Sequence, residues 1–184
     1  MTNSLLTKES ENLLFHTFDD KLKPQVEELL SLGKSAGADL VEVFLEKSDN
    51  LSLLAEQDDI SNVSPSFGIG AGIRVFLGKK DGFVSTNDLS KHGLMRSISQ
   101  AIEMLDIPKE VNDSQFSGLS KLRDYTKSKL NWINEIPSIN EISEKLLLST
   151  KSLKKDKQVV VRKGSYSRNW QEVIIASSDG TYAT

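Results

Sequence analysis

Gly68-Ile-Gly-Ala-Gly-Ile-Arg-Val-Phe-Leu-Gly-Lys-Lys-Asp-Gly-Phe-Val-Ser-Thr-Asn-Asp-Leu-Ser90 is the stretch that sets the fold of this chain. Successive side chains of a strand point to opposite faces, so Gly68, Gly70, Gly72, Arg74 and Phe76 share one face. Ile69, Ala71, Ile73, Val75 and Leu77 share the other, an unbroken apolar stripe that calls for a core. The first face lacks side chains at its three glycines, and a bare strand face marks a place where something comes close to the backbone. Packing of another element there is the first reading, and an extended peptide or partner strand is the second. Gly78-Lys-Lys-Asp-Gly82 follows as a hairpin loop, with Gly82–Thr86 as the returning strand.

The Gly-x-Gly-x-Gly run also resembles a dinucleotide fingerprint, but that fingerprint needs a strand, a tight turn and then a helix. Here the glycines lead into Ile73–Leu77, which reads as strand, so a phosphate cradle is set aside.

Working toward the N-terminus, the spacing of Val26, Leu29 and Leu30 predicts a helix over about 22–36, with Pro24 in its first turn and Gly37 at its end. Val41, Val43 and Leu45 alternate with Glu42 and Glu46 in a half-buried strand over 40–47. Ser48-Asp-Asn50 reads as a turn and 51–57 as a second strand. Asp58-Asp59 reads as another turn before a short strand near 60–64, and residues 1–20 read as a flexible arm. Working toward the C-terminus, Ser90 caps a helix over about 91–105, striped by Leu94, Ile98, Ala101, Ile102 and Leu105. Residues 106–136 read mostly as loop, anchored by Trp132. Ser138 and Glu141 form a capping box for a helix reaching about Lys154. Strands are expected over 158–164 and 170–177. Ser178-Asp-Gly-Thr181 is a hairpin signal with few residues left to pair, as expected of a chain cut short. The fold class is α+β: a curved, mostly antiparallel sheet with two or three helices packed on one side, in a domain spanning 21–184.

With 184 residues, a net charge of -3 and a pI near 5.5, the chain suits one domain of mildly acidic character. That balance disfavours nucleic acid as a partner, since such binders carry a basic face. No cysteine is present, so there is no disulfide, thiolate nucleophile or cysteine-ligated zinc. The N-terminal residues lack a secretory pattern and no apolar run is long enough to span a bilayer, so no membrane partner is expected and the location expected is cytoplasmic.

Candidate chemistry is sparse. Arg74, on the bare face, has a fork suited to a carboxylate or a backbone carbonyl, although a solvated or ion-paired arginine is the default. Ser85, Thr86 and Asn87 read as the polar lead-in to a helix more readily than as ligand contacts. His16 and His92 are far apart in sequence and supply no metal set. Asp19-Asp20 and Asp58-Asp59 suit turns and caps better than acid–base catalysis. Lys151, Lys154, Lys155 and Lys157 complement a helix C-terminus, and Trp132 and Trp170 read as core anchors. No catalytic or metal-binding residue is assigned.

Several segments in succession resemble one family. Gly37-Ala-Asp-Leu-Val-Glu-Val-Phe-Leu-Glu46, Leu54-Ala-Glu-Gln-Asp-Asp-Ile60, the glycine strand and Gly82-Phe-Val-Ser-Thr-Asn-Asp-Leu-Ser90 resemble the N-terminal domain of the TldD/PmbA family. Ser165-Tyr-Ser-Arg-Asn-Trp-Gln-Glu-Val173 and Ser178-Asp-Gly180 also look like this family, closer to TldD than to PmbA. The resemblance implies a cytoplasmic zinc-dependent peptidase that trims unstructured peptides, long called a modulator of DNA gyrase. It also implies a homodimer or a pair with a TldD/PmbA-type subunit. The family's His-Glu-x-x-x-His motif and later cysteine lie downstream of this domain, so zinc is expected there and no cofactor in this chain. The role implied here is to wall the peptide chamber and form dimer contacts, with Gly68, Gly70, Gly72 and Arg74 as the candidate peptide-binding residues. The alternative is a non-enzymatic interaction module, such as a gyrase modulator.

Overall fold

The computed structural model describes Phe18 and residues 22–106, 123–124, 137–156 and 158–184. The elements run α1 (Leu22–Ser35), β1 (Leu40–Glu56), β2 (Asp59–Leu77), β3 (Lys80–Thr86), α2 (Lys91–Glu103), β4 (Arg123–Asp124), α3 (Ile139–Ser152), β5 (Lys163–Ser177) and β6 (Thr181–Ala183). A short 3-10 turn, Leu153–Lys155, continues α3. The strand order is β3-β2-β1-β5-β6-β4. β2–β3 and β5–β6 are antiparallel, and only the short β4 runs parallel to its neighbour β6. The protein is therefore α+β with a mostly antiparallel sheet and three helices among the described residues.

The strands are fewer and longer than the turn residues suggest. Ser48-Asp-Asn50 does not turn, and β1 continues through it to Glu56. The parity explains why: Val41, Val43, Leu45, Asp49, Leu51, Leu53 and Ala55 all fall on odd positions and all are buried. Asp49 is accommodated by Arg168, 3.5 Å away, and Asn50 is hydrogen-bonded to Asn169. Cross-strand partners thus satisfy residues whose local preference is to turn. The break does occur at Gln57-Asp58, where Gln57 takes φ 57. β2 likewise runs unbroken from Asp59 to Leu77, and β5 is one strand where two are expected. The 78–82 loop is a tighter turn, Gly78-Lys79, with Leu77 opposite Lys80.

The chain forms two compact units, with 48–67 and 130–171 in the first and 17–47, 68–129 and 172–184 in the second. The first unit has a small core of Leu51, Leu53 and Ile142, flanked by Ile139, Leu146 and Tyr166. Its helix α3 starts at the expected capping box: Glu141 N donates to the Ser138 hydroxyl (3.2 Å), and Ser138 N donates to the Glu141 carboxylate (2.8 Å). Arg162, 8% exposed, ties the unit together. Its guanidinium donates to Asp58 and to the Thr150 carbonyl, and its Nε donates to Gln57. Lys154 also donates to Asp58, and these hydrogen bonds, Lys154 first and Arg162 next, hold that carboxyl at about 2.

The second unit contains the larger core. Val26, Leu29 and Leu30 of α1 and Leu94, Ile98 and Ala101 of α2 meet Val41, Val43, Leu45, Ala71, Ile73, Val75, Ile174 and Ala176 of the strands. The apolar stripe of the glycine strand thus faces both helices, as its alternation requires. α1 ends in a Schellman motif: Ala38 N donates to the Gly33 carbonyl and Gly37 N to that of Lys34, with Gly37 at φ 94. Ser90 caps α2 by accepting from Gly93 N (3.1 Å). The β2–β3 turn is pinned where Gly78 N donates to the Asp39 carboxylate (2.6 Å). Ser178 closes the sheet on β1: its N donates to the Val41 carbonyl (2.9 Å), and its hydroxyl accepts from Val41 N (3.0 Å). The expected arm of 1–20 lies outside the described residues except at Phe18, whose N donates to Glu172. Trp132 and most of 106–136 also lie outside them, and Trp170 is half-buried but belongs to neither core cluster.

Candidate functional site

On the second unit, the sheet face opposite α1 and α2 carries a shallow groove of about 410 Å³. Its floor comes from strand positions of the parity that the core does not use: Glu42 and Phe44 of β1, Gly72 and Arg74 of β2, Phe83 of β3, and Ile175 of β5. Strand alternation produces this arrangement, since burying the odd residues of β1 and β2 turns the even ones outward. Three large apolar side chains remain well exposed there: Phe44 at 40%, Phe83 at 55% and Ile175 at 47%. Apolar groups gathered in this way on a soluble surface mark an interaction site more often than chance placement does.

Of the four residues singled out on the glycine face, Gly72 and Arg74 line this groove. Among the described residues, no helix covers the bare face at Gly70 and Gly72. Its closest neighbour at Gly72 is an aromatic ring: a Cβ on Gly72 would lie 3.2 Å from Phe83 Cε2. Gly72 faces Ser85 and Arg74 faces Phe83 across the ladder, so the ring leans diagonally into the space that glycine leaves. Gly70 is just past the last β2–β3 pair, Ala71–Thr86, and a Cβ there would make ordinary contacts with the Thr86 carbonyl and the Asn87 side chain. Gly68 is half-buried, two residues further out, and neither Gly68 nor Gly70 lines the groove. Glycine at 72 therefore makes room for Phe83 and shapes the groove.

Arg74 is already engaged. Its Nε donates to the Asp81 carboxylate (2.8 Å), and its guanidinium sits over the Phe76 ring at 5.1 Å. Both members of the Arg74–Asp81 pair are about half exposed, so the pair adds at most about 1 kcal/mol to stability. The other charged residues lining the groove are acids. Asp179 accepts from Thr181 N (2.9 Å), and that hydrogen bond lowers its pKa. Glu42 stands exposed next to Phe44's position and has no ion pair among the described residues. Composition and charge did not single out Glu42, Phe44 or Phe83. The available signal was parity: Phe44 is an aromatic among the outward positions of β1, and Phe83 among those of β3.

The remaining candidates are structural. His92 is exposed, and Asp88 leads into α2, its pKa lowered by hydrogen bonding from the Ser90 side chain and then from Ser90 N (3.0 Å). Asp58 belongs to the Arg162 network. Lys151 lies in the last turn of α3, and Lys154 pairs with Asp58. Among the described residues no three or more His, Asp or Glu side chains are gathered to hold a metal ion. No helix among them is long and apolar enough to cross a membrane.

Residues 41–105, which include β1, β2, β3 and α2, match the family described as PmbA/TldA metallopeptidase domain 1. A protein named Metalloprotease PmbA homolog from Haemophilus influenzae is 30% identical over 112 residues, covering 61% of this chain and 24% of that protein. TldE from Thermococcus kodakarensis superposes with a TM-score of 0.66 at 22% identity, over 86% of this chain and 36% of its own. A candidate modulator of a DNA gyrase from Thermotoga maritima superposes with a TM-score of 0.68 at 17% identity, over 88% and 36%. At these identities the structures establish a shared fold. The chain spans about a quarter of the PmbA homolog. The nearer likeness to TldD remains an expectation.

Proposed function

Taking residues 41–105 as a first domain of the PmbA/TldD metallopeptidase family, we propose that this chain is the non-catalytic, peptide-holding part of a cytoplasmic zinc-dependent peptidase acting on unstructured peptides. The observation that carries the reading is the groove on the uncovered sheet face, where Gly72 makes room for Phe83 and Phe44 stands exposed beside them. Such a surface forms one wall of a chamber and holds a substrate in extended form while the chemistry happens elsewhere. In this reading the zinc and its ligands lie outside this chain, which spans 24% of the PmbA homolog. That metal would activate water for amide hydrolysis. This chain's own residues bind and orient the peptide. Contacts with a second subunit, of the same or a TldD/PmbA type, belong to the same role, and no nucleic acid or membrane takes part.

The Thermotoga maritima relative, described as a modulator of a DNA gyrase, favours a second reading, a non-enzymatic module that binds a DNA gyrase. One experiment separates the two. The 184-residue chain is purified, its zinc content is measured, and it is incubated with an unstructured peptide and, separately, with gyrase. The peptidase reading expects no stoichiometric zinc, no cleavage and no gyrase complex. Metal-dependent cleavage by this chain alone would overturn the division of labour, and a stable gyrase complex would favour the second reading.

A further inference from the structure

We propose that the groove selects a cationic residue flanked by apolar ones, so that the peptides it holds carry lysine or arginine. The inference rests on the peptide-holding reading and adds the chemistry of selection. Three charged residues line the groove, Glu42, Arg74 and Asp179. The single base among them is neutralised by Asp81, outside the lining, at 2.8 Å. The rim is therefore left with acidic charge. Glu42 and Phe44 are two apart on one strand and so point the same way, their Cα atoms about 7 Å apart. A primary ammonium or guanidinium group placed between them meets a carboxylate and an aromatic face together, a pairing that stabilises cations and repels anions.

The spacing of the strands fixes the rest of the ligand. The lining crosses the sheet from Phe83 on β3, over β2 and β1, to Ile175 on β5. Three inter-strand steps at about 4.8 Å each make roughly 14 Å, about the span from the first to the fifth residue of an extended segment, whose first, third and fifth side chains share a face. Such a segment has an apolar side chain at each end, against Phe83 and Ile175, and its cation between them, near Glu42. Selection here acts through side chains, since the in-plane backbone groups of β2 at Ala71–Leu77 are committed to its neighbours β3 and β1.

The test titrates the isotope-labelled 184-residue chain with acetyl-Val-Ala-Lys-Ala-Leu-amide and with its Glu counterpart, followed by amide NMR shifts. The lysine peptide is expected to bind about tenfold tighter at low salt, with shifts at Glu42, Phe44, Gly72 and Phe83. Glu42→Gln or high salt should reduce that preference to about twofold or less, while Glu42→Gln leaves the fold unchanged. Equal affinity for both peptides at these residues overturns the charge selection and leaves the peptide-holding reading standing. No shift at the groove with either peptide overturns the reading itself. Groove shifts that depend on protein concentration alone identify the occupant as a second copy and overturn the proposal.

Discussion

A methyl group at Gly82 would lie 2.1 Å from the Ala101 carbonyl oxygen, because α2 rests its backbone directly on β3 there. Gly82→Ala is therefore expected to cost about 1–3 kcal/mol in urea denaturation. At Gly72 the near neighbour among the described residues is the end of the exposed Phe83 ring, 3.2 Å from the Cβ position. Gly72→Ala is expected to leave the denaturation midpoint almost unchanged and to displace the ring, which peptide titration would report. Equal destabilisation by both substitutions would mean that Gly72 is a packing residue. At Asp58 the carboxyl is held at about 2 by Lys154 and Arg162, below its ordinary value of 3.8. A depressed carboxylate pKa stabilises the fold above the ordinary value, and the gain is lost as pH falls through the depressed one. Asp58→Asn is thus expected to lower the melting temperature at neutral pH and to converge with the unsubstituted protein as pH drops from about 4 to about 2. A gap of constant size across that range would show that the network contributes nothing through charge. The sequence located Asp58 as a turn residue but gave no sign of Arg162, whose partners lie about a hundred residues away.

Among the elements, the helices were the most legible. Ser90, the Ser138–Glu141 box, Pro24 and Gly37 act at the ends their local chemistry assigns, since capping satisfies backbone groups within a few residues. Ser138→Ala is expected to cost about 1 kcal/mol, read as a loss of denaturant resistance in the first unit. The strand boundaries were less legible. Ser48, Asp49 and Asn50 have turn preferences, yet they sit mid-strand because Arg168 and Asn169 on β5 satisfy them. No local rule carries that information. The glycine strand shows both cases: its alternation correctly gave the core face, but the ring that fills its bare face comes from the neighbouring strand.

At the scale of the whole chain, the two units have unequal cores. Among the described residues, the first has a core cluster of Leu51, Leu53 and Ile142, and the second draws on α1, α2, β1, β2, β5 and β6. Protection against hydrogen exchange follows buried apolar contact, so amides of Leu51–Ala55 should exchange faster than those of Val41–Leu45 on the same strand. Identical rates would mean that the units open together. The α+β class was legible because helix caps and alternating runs are local signals. Division of the chain within its long strands was not, because it depends on which distant segments meet. The family likeness was legible through a succession of segments, and those within residues 41–105 match the PmbA/TldA metallopeptidase domain 1. The most direct test uses the longer zinc-dependent peptidase of which we propose this chain is a part, with Phe44→Ala and Phe83→Ala combined. The account predicts a KM for an unstructured peptide raised about tenfold at unchanged kcat and zinc content, the pattern of lost uniform binding. An unchanged KM would contradict it.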